Sequence, residues 1–570
     1  MTKIKTETLH CVQGDNRRLL FSIGVLLTLV LAVVARGESL NPHSSPPRPT
    51  GRTWLYLKPE ALSQDELSRR LEQAAARMTP RALARRAKTL AWPYVRVCDL
   101  PPSSERLQAI EATGCRVVRV VRYVGAVVVE GSESALNNSR SLSFVGDVQP
   151  VLAYASSSDS STADPPWSAV TIPETADNAD YGESLTQSLL LNIPAAHDEG
   201  YHGEGVLIGV QDTGFETRRH IAFRNIDIVA AYDFLNDDPN VFDEGDLGVA
   251  THGTRVLSVI AGLDSGNYIG VAPMAQFVLT KTENSASETP IEEDIWVEGL
   301  WFHDSLGVDV LSSSLSYRDW HEYEDYDGRT SVTSRAADSA FAAGMVLVNS
   351  IGNTGFQDYP LNKMGVPADA RGVISVGGVN RDSTRWTSSS QGPTYDGRIK
   401  PNVVAQSSAV YGVSTSDNTT YASRSGTSYS TPTVAGVAAL IVQANPELRS
   451  DQVMDILHQT ASQANTPDTL LGYGIANALA AVVMAREMGV ERESARSTYN
   501  LFTLFPNPTN GRAMIVRLGI AGNRLELWDM SGKLIASDLM GNSINLNGYP
   551  AGSYWVGSAQ AGWQRLALVK

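Results

Sequence analysis

Between about residues 181 and 488, short wholly apolar runs alternate with helix-like stretches. The runs include GVLIGV (205–210), VDVLSSSL (308–315), GMVLVNS (344–350) and GVISVGGV (372–379). A strand that is apolar on both faces must be buried on both. Its alternation with helices therefore predicts a parallel sheet covered on each side, an α/β domain. Sites in such sheets lie outside the carboxyl ends of the strands. Residues 52–152 follow another pattern. LSQDELSRRLEQAAARM and SSERLQAIEATG have helical periodicity, and CRVVRVVRYVGAVVVEG reads as strands joined by a turn at Tyr123–Gly125, giving a small α+β unit. From about Asn500 onward, AMIVRL, NRLELWDM, KLIASDL, GSYWVGS and QRLALVK are short strands separated by Gly and Asn, a small β-sandwich (500–570). NPHSSPPRPTG (41–51) and SSSDSSTADPPWS (156–168) read as linkers.

Residues 19–35, LLFSIGVLLTLVLAVVA, are apolar and lie behind Lys3, Lys5, Arg17 and Arg18, with small residues at Ala35 and Gly37. This predicts a secretory signal over 1–37 with a long basic lead; a signal-anchor is the alternative. Of the three cysteines, Cys11, Cys98 and Cys115, the first leaves with the signal and nothing in the sequence demands that the others pair.

Charge adds a relation between domains. The chain carries a net charge of −15, which argues against nucleic acid as a partner. Residues 51–100 hold 10 Lys/Arg against 5 Asp/Glu, whereas 151–300 hold 5 against 25. A basic unit ahead of a strongly acidic one suggests docking; two solvated surfaces of opposite sign would give the same counts.

Three motifs supply candidate chemistry. In GVLIGVQDTGFE, a buried strand ends in Asp212, and Thr213–Gly214 turns the chain. In ATHGTRVLSVIAG, His252 opens a helix with small neighbours behind it. In SRSGTSYSTPTVAGVAAL, Ser428 stands at a helix start whose Pro432 is expected in the first turn, and Ala435, Gly436, Ala438 and Ala439 permit close packing. Singly these are a turn aspartate, a half-buried histidine and an N-cap serine. Together they are an acid, a base and a nucleophile at strand ends and helix starts of one sheet. A histidine can take the serine proton, and a buried aspartate fixes the imidazole tautomer.

DTG, HGT and GTSYSTPTVAG resemble the three signatures of the subtilisin-like serine proteases. The resemblance covers about 300 residues, 181–488. It implies a three-layer αβα fold around a seven-stranded parallel sheet, and a serine endopeptidase acting through Asp212, His252 and Ser428. GMVLVNSIGNTG is similar to the family's strand followed by Gly-Asn, which implies Asn353 as the oxyanion donor, with Asn349 a weaker competitor. LSSSLSY matches the segment that pairs with an extended peptide substrate, placing Ser314, Leu315 and Ser316 in substrate binding. Tyr429 stands where many relatives have methionine, and GRIKPNVVAQ departs from the family pattern at Asn402 and Gln406. Relatives often bind structural calcium. NDDPNVFDEGD (236–246) has oxygen ligands but no matching spacing, so it reads as a solvated acidic loop; no metal site is assigned and no cofactor is expected.

The basic unit resembles the pro-regions of Bacteroidetes-type members, which implies a folding chaperone and inhibitor removed by self-cleavage within 153–184. Pro506–Asn507–Pro508, Asp529–Lys533 and Gly552–Tyr554 resemble a type IX secretion sorting domain. That implies the outer-membrane secretion machinery as a partner, followed by release or surface attachment. Two other functions remain at this stage. An aspartic protease would need a second DTG-like motif, and Asp264–Ser265–Gly266 lies too near Asp212 to open a second lobe. An inactive surface-binding homologue would lack a triad member, and none is lacking. A metalloprotease is disfavoured by the lack of an H-E-x-x-H motif.

Overall fold

The protein is described as a computed structural model covering residues 48–153, 180–242, 251–284 and 289–499, together with seven strands between 502 and 568. It divides into two compact units, Met1–Ala485 and Arg486–Lys570. The signal segment, the 156–168 linker and nearly all of the expected cleavage region lie outside the described residues.

The first unit opens with an α+β domain of strands β1 (Arg48–Leu57), β2 (Arg116–Val121), β3 (Ala126–Glu130) and β4 (Val145–Ala153). They form one antiparallel sheet in the order β2-β3-β1-β4. Four helices accompany it: α1 (Gln64–Ala75), α2 (Pro80–Arg86), α3 (Ser104–Glu111) and α4 (Glu133–Arg140). Each starts on a hydroxyl cap, at Ser63, Thr79, Ser103 and Ser132 in turn, that accepts a backbone N–H of the first turn. The alternation of β3 explains the packing. Val127 and Val129 face Ile110 and Ala135 of the domain's own helices, while Ala126 and Val128 face the larger α/β domain.

That domain is built on seven parallel strands: β5 (Leu207–Asp212), β6 (Asp227–Asp233), β7 (Gln276–Lys281), β8 (Val310–Ser313), β9 (Val346–Ser350), β10 (Val373–Val379) and β11 (Val403–Gln406). Their order is β11-β10-β9-β8-β5-β7-β6. Nearly every residue of β5 and of β8 to β11 is buried, as runs apolar on both faces require. Helices α5 (Thr251–Ala261) and α8 (Thr427–Ala444) pack on each other, with α8 across β8 to β11. Helices α6 (Ile291–Leu306) and α7 (Val332–Ala342) form a second pair, with α6 against β5 and β7. The core between this pair and the sheet includes Leu207, Val278, Leu311 and Leu347 opposite Trp296, Leu300, Ala336 and Ala340. It extends without a break into Trp54, Tyr56 and Val128 of the first domain.

In the second unit the described strands form a three-stranded and a four-stranded antiparallel sheet, the pieces expected of a small β-sandwich. No disulfide joins Cys98 and Cys115, so the pairing left open by the sequence is not made.

Candidate active site

Asp212 is the last residue of β5 and is fully buried. Its Oδ1 accepts from Thr213 N–H at 2.7 Å and from His252 Nδ1 at 2.8 Å. With Nδ1 donating to the carboxylate, a neutral imidazole carries its lone pair on Nε2. His252 is the second residue of α5, and Gly253 allows the approach: a Cβ there would stand 2.3 Å from Gly214 O and 3.0 Å from Asp212 Cβ.

Ser428 is the second residue of α8 and is 9% exposed. The ring of its neighbour Tyr429 lies 6.1 Å from the His252 ring, centroid to centroid. Tyr429 is itself buried, which fits a packing role for the residue that replaces methionine. Gly436 supplies the expected close approach of the helix: a Cβ there would lie 2.5 Å from Val271 Cβ.

One local expectation is corrected. Because the helix begins at Thr427, Pro432 falls in the second turn and not the first. Its missing N–H would have bonded the Ser428 carbonyl four residues back. The Ser314 hydroxyl donates to that carbonyl instead, at 2.8 Å. Ser428 Oγ in turn donates to Ser314 O at 3.4 Å. The segment after β8 and the helix start that bears Ser428 are thus tied to each other by a gap that the proline opens.

Asn353 and Asn349 are separated by their bonds. Asn349, inside β9, spends its amide N–H groups on Leu315 O and Ser350 O, both at 2.9 Å, and is buried. Asn353 follows the strand in a loop. Its Oδ1 accepts from the N–H and the hydroxyl of Thr427, both at 2.9 Å. An amide held by its oxygen turns its NH2 the other way. Thr427, which sequence reading passed over, is the residue that orients Asn353 beside Ser428. Ser314, Leu315 and Ser316 directly follow β8; Ser314 and Leu315 are mostly buried, and Ser316 Oγ is enclosed without a hydrogen-bond partner.

The other sequence candidates are engaged elsewhere. Asp264 accepts from the Tyr421 hydroxyl at 2.8 Å, while Asp212 is partnered by His252. Asn402 lies inside the fold: its Oδ1 accepts from Ser375 N–H and from Lys400 Nζ, both at 2.9 Å. Burial lowers the Lys400 pKa to about 7. In the acidic loop, Asp233 Oδ1 accepts from Leu235 and Asn236 N–H, and Asp238 Oδ1 from Asn240 N–H; residues 243–250 lie outside the described residues. Among the described residues no group of three or more His, Cys, Asp or Glu is placed to hold a metal.

Comparison with known proteins agrees with this architecture. Residues 203–474 match the subtilase family (peptidase S8), and residues 52–164 match the peptidase S8 propeptide domain of Bacteroidota. Subtilisin E of Bacillus subtilis is 27% identical over 66% of this chain and 86% of its own length. Subtilisin DY of Bacillus licheniformis is 31% identical, and subtilisin Savinase of Lederbergia lenta 30%, each over 51% of this chain and 96% of its own length. The chain belongs to the subtilase family of serine endopeptidases and carries ahead of its peptidase domain the propeptide of a precursor.

Proposed function

We propose that this chain is the precursor of an exported endopeptidase in which Ser428 attacks the peptide carbonyl, His252 accepts its proton at Nε2, and Asp212 steadies the resulting imidazolium. The negative oxygen of the tetrahedral intermediate takes hydrogen bonds from Asn353 Nδ2 and Ser428 N–H. The intermediate collapses as His252 gives its proton to the leaving amine, which leaves an acyl group on Ser428 Oγ; water, deprotonated by the same imidazole, then releases the acid. Ser314, Leu315 and Ser316 hold the peptide in extended form by backbone pairing. The observation that carries this reading is the bond from His252 Nδ1 to Asp212 Oδ1 at 2.8 Å, made at the end of β5 beside the turn that bears Ser428.

The same reading assigns residues 1–37 to export across the inner membrane. It assigns 52–152 to inhibition and assisted folding until self-cleavage within 153–184, and 500–570 to sorting by a type IX system to the outside or the cell surface. Support for the sorting role is that Asp529 ends the strand Leu525–Asp529, which pairs antiparallel with Leu534–Leu539, and that Gly552–Tyr554 opens the strand Gly552–Ser558; Pro506–Asn507–Pro508 and residues 530–533 lie outside the described residues.

The test is Ser428→Ala in the full chain. Wild type should cut itself, hydrolyse casein and react with a serine-directed fluorophosphonate. The variant should stay uncut, and its activity should fall by about 10⁶, the loss known for the nucleophile of subtilisin. Self-cutting by the variant, or inhibition of wild type by a statine-type compound instead of the fluorophosphonate, would overturn the reading.

A further inference from the structure

Among the described residues the propeptide domain meets the peptidase domain through its sheet and again through a segment outside the sheet. The sheet face carrying Trp54, Tyr56 and Val128 lies on α6 and α7. The second contact comes from residues 58–101, the helical segment between β1 and α3, and it closes on the carboxyl end of α6. Thr79 N–H donates to Ser305 O at 3.1 Å, and its hydroxyl donates to Leu306 O at 2.9 Å. Arg81 donates to Gly307 O at 3.3 Å and Gly205 O at 2.7 Å and pairs with Asp309. Arg85 donates to Val308 O and to the Asp304 carboxylate, and Arg86 takes both oxygens of the same carboxylate. The Tyr123 hydroxyl is a third donor to it. The unpaired carbonyls and negative dipole of a helix end favour cations. Here the carbonyls of Asp304, Ser305, Leu306, Gly307 and Val308 and the carboxylates of Asp304 and Asp309 are all met by propeptide groups.

The burial is complete. Asp304 and Arg86 are 0% exposed and Arg85 is 2% exposed. Arg86 is itself held on the other side by Asp99 at 2.8 Å and by Tyr94 O at 2.9 Å, so its guanidinium is fixed before it meets Asp304. The backbones also meet: a Cβ on Gly307, the residue ending α6 with φ of +91°, would lie 2.6 Å from Ala82 N.

The location separates this contact from catalysis. Asp309 leads into the amino end of β8, and its carboxylate accepts Leu207 N–H at the amino end of β5, at 3.0 Å. Asp212 closes the far end of β5, roughly 17 Å from Leu207 at about 3.3 Å per residue. A substrate entering the cleft cannot compete for Asp304.

We propose that Asp304 anchors a latch remote from the cleft. The Arg85–Arg86 pair grips it, and that grip sets how long the propeptide, once cut, stays bound to the peptidase domain. The partner recognised at this surface is therefore the chain's own released propeptide. This deepens the self-processed precursor reading and rests on it. Among the described residues, the side-chain partners of the Asp304 carboxylate are the propeptide's Arg85, Arg86 and Tyr123, so in the free enzyme it faces solvent and has no part in catalysis.

The test uses the full chain with Asp304→Asn, and separately Arg85→Gln in case the first substitution disturbs folding of α6. Arg69→Ala, at a residue paired only with Glu66 of its own helix, is the control. In wild type and the control, the cut propeptide should co-elute with the enzyme on gel filtration, and peptide hydrolysis should start after a lag. Removing one partner of a buried charge pair acts on dissociation. Both latch variants should therefore be cut as before, lose the propeptide on the column and reach full rate after a lag about 30-fold shorter, with the final rate unchanged. The same substitutions in a Ser428→Ala background should speed hydrogen exchange of the α2 amides by a similar factor, without change in α3 or α4. Unchanged co-elution and lag, or unchanged α2 exchange, would overturn the latch. Failure of the protease reading looks different: no cutting and no hydrolysis in wild type, while the exchange arm still reports on the grip.

Discussion

At the residue scale, the candidate centre is a set of small approaches made where backbone ends. Asp212 ends a strand, while His252 and Ser428 start helices, so each polar group stands where the regular hydrogen-bond ladder leaves room for it. Asn353 is oriented by Thr427 through two bonds to one oxygen. Asn353→Ala should lower kcat by about 10²–10³, the loss known when subtilisin loses its side-chain donor, with KM little changed. Thr427→Val keeps the N–H bond and removes only the hydroxyl, so kcat should fall about fivefold to tenfold, the worth of one hydrogen bond. Steady-state kinetics on a chromogenic peptide checks both; an undiminished kcat in Asn353→Ala would remove that residue from the oxyanion site. The three principal residues were legible because small residues crowd each one in sequence. The Ser314–Ser428 tie was not, since it joins positions 114 apart through a vacancy created by Pro432.

At the element scale, the segment that follows β8 and Ser314–Ser316 is pinned by a buried pair. Glu293, in the first turn of α6, accepts from Trp320 Nε1 at 2.6 Å, His321 Nε2 at 2.7 Å and the Ser331 hydroxyl at 3.0 Å. Burial alone would push His321 down, but Glu293 and Asp325 outweigh it and raise its pKa to about 10. A group whose folded pKa exceeds its unfolded value of about 6.5 gives stability that is complete below that value and is lost as pH rises to about 10. Wild type should therefore lose several degrees of Tm relative to His321→Gln between about pH 6.5 and 10, the two curves converging at the alkaline end. Parallel curves from calorimetry would show that the imidazolium contributes nothing. None of this could be read from the sequence, where Glu292, Glu293 and Asp294 look like an ordinary acidic first turn. Helix α2 was missed for a different reason: its Thr79–Pro80 start is a good signal, but seven residues are too few to show helical periodicity.

At the scale of the whole molecule, the sign of the charge imbalance anticipated docking and the pairs Arg81–Asp309, Arg85–Asp304 and Arg119–Glu298 carry it, yet counts of charge could not say which residues meet. The alternation of β3 could: Val127 and Val129 serve one face and Ala126 and Val128 the other, as a sheet buried on both sides requires. The carboxyl-terminal strands form a separate compact unit. Activity and sorting should therefore separate. A chain ending at Tyr499 should still cut itself and hydrolyse peptides with kcat/KM within about twofold of the full chain, since a separate compact unit folds around its own core. Expressed in a bacterium with a type IX system, it should accumulate behind the outer membrane, while the full chain reaches the surface or the medium. Fractionation followed by fluorophosphonate labelling reads both properties at once. Equal export of the two chains would remove the sorting role from residues 500–570 and leave the peptidase assignment standing.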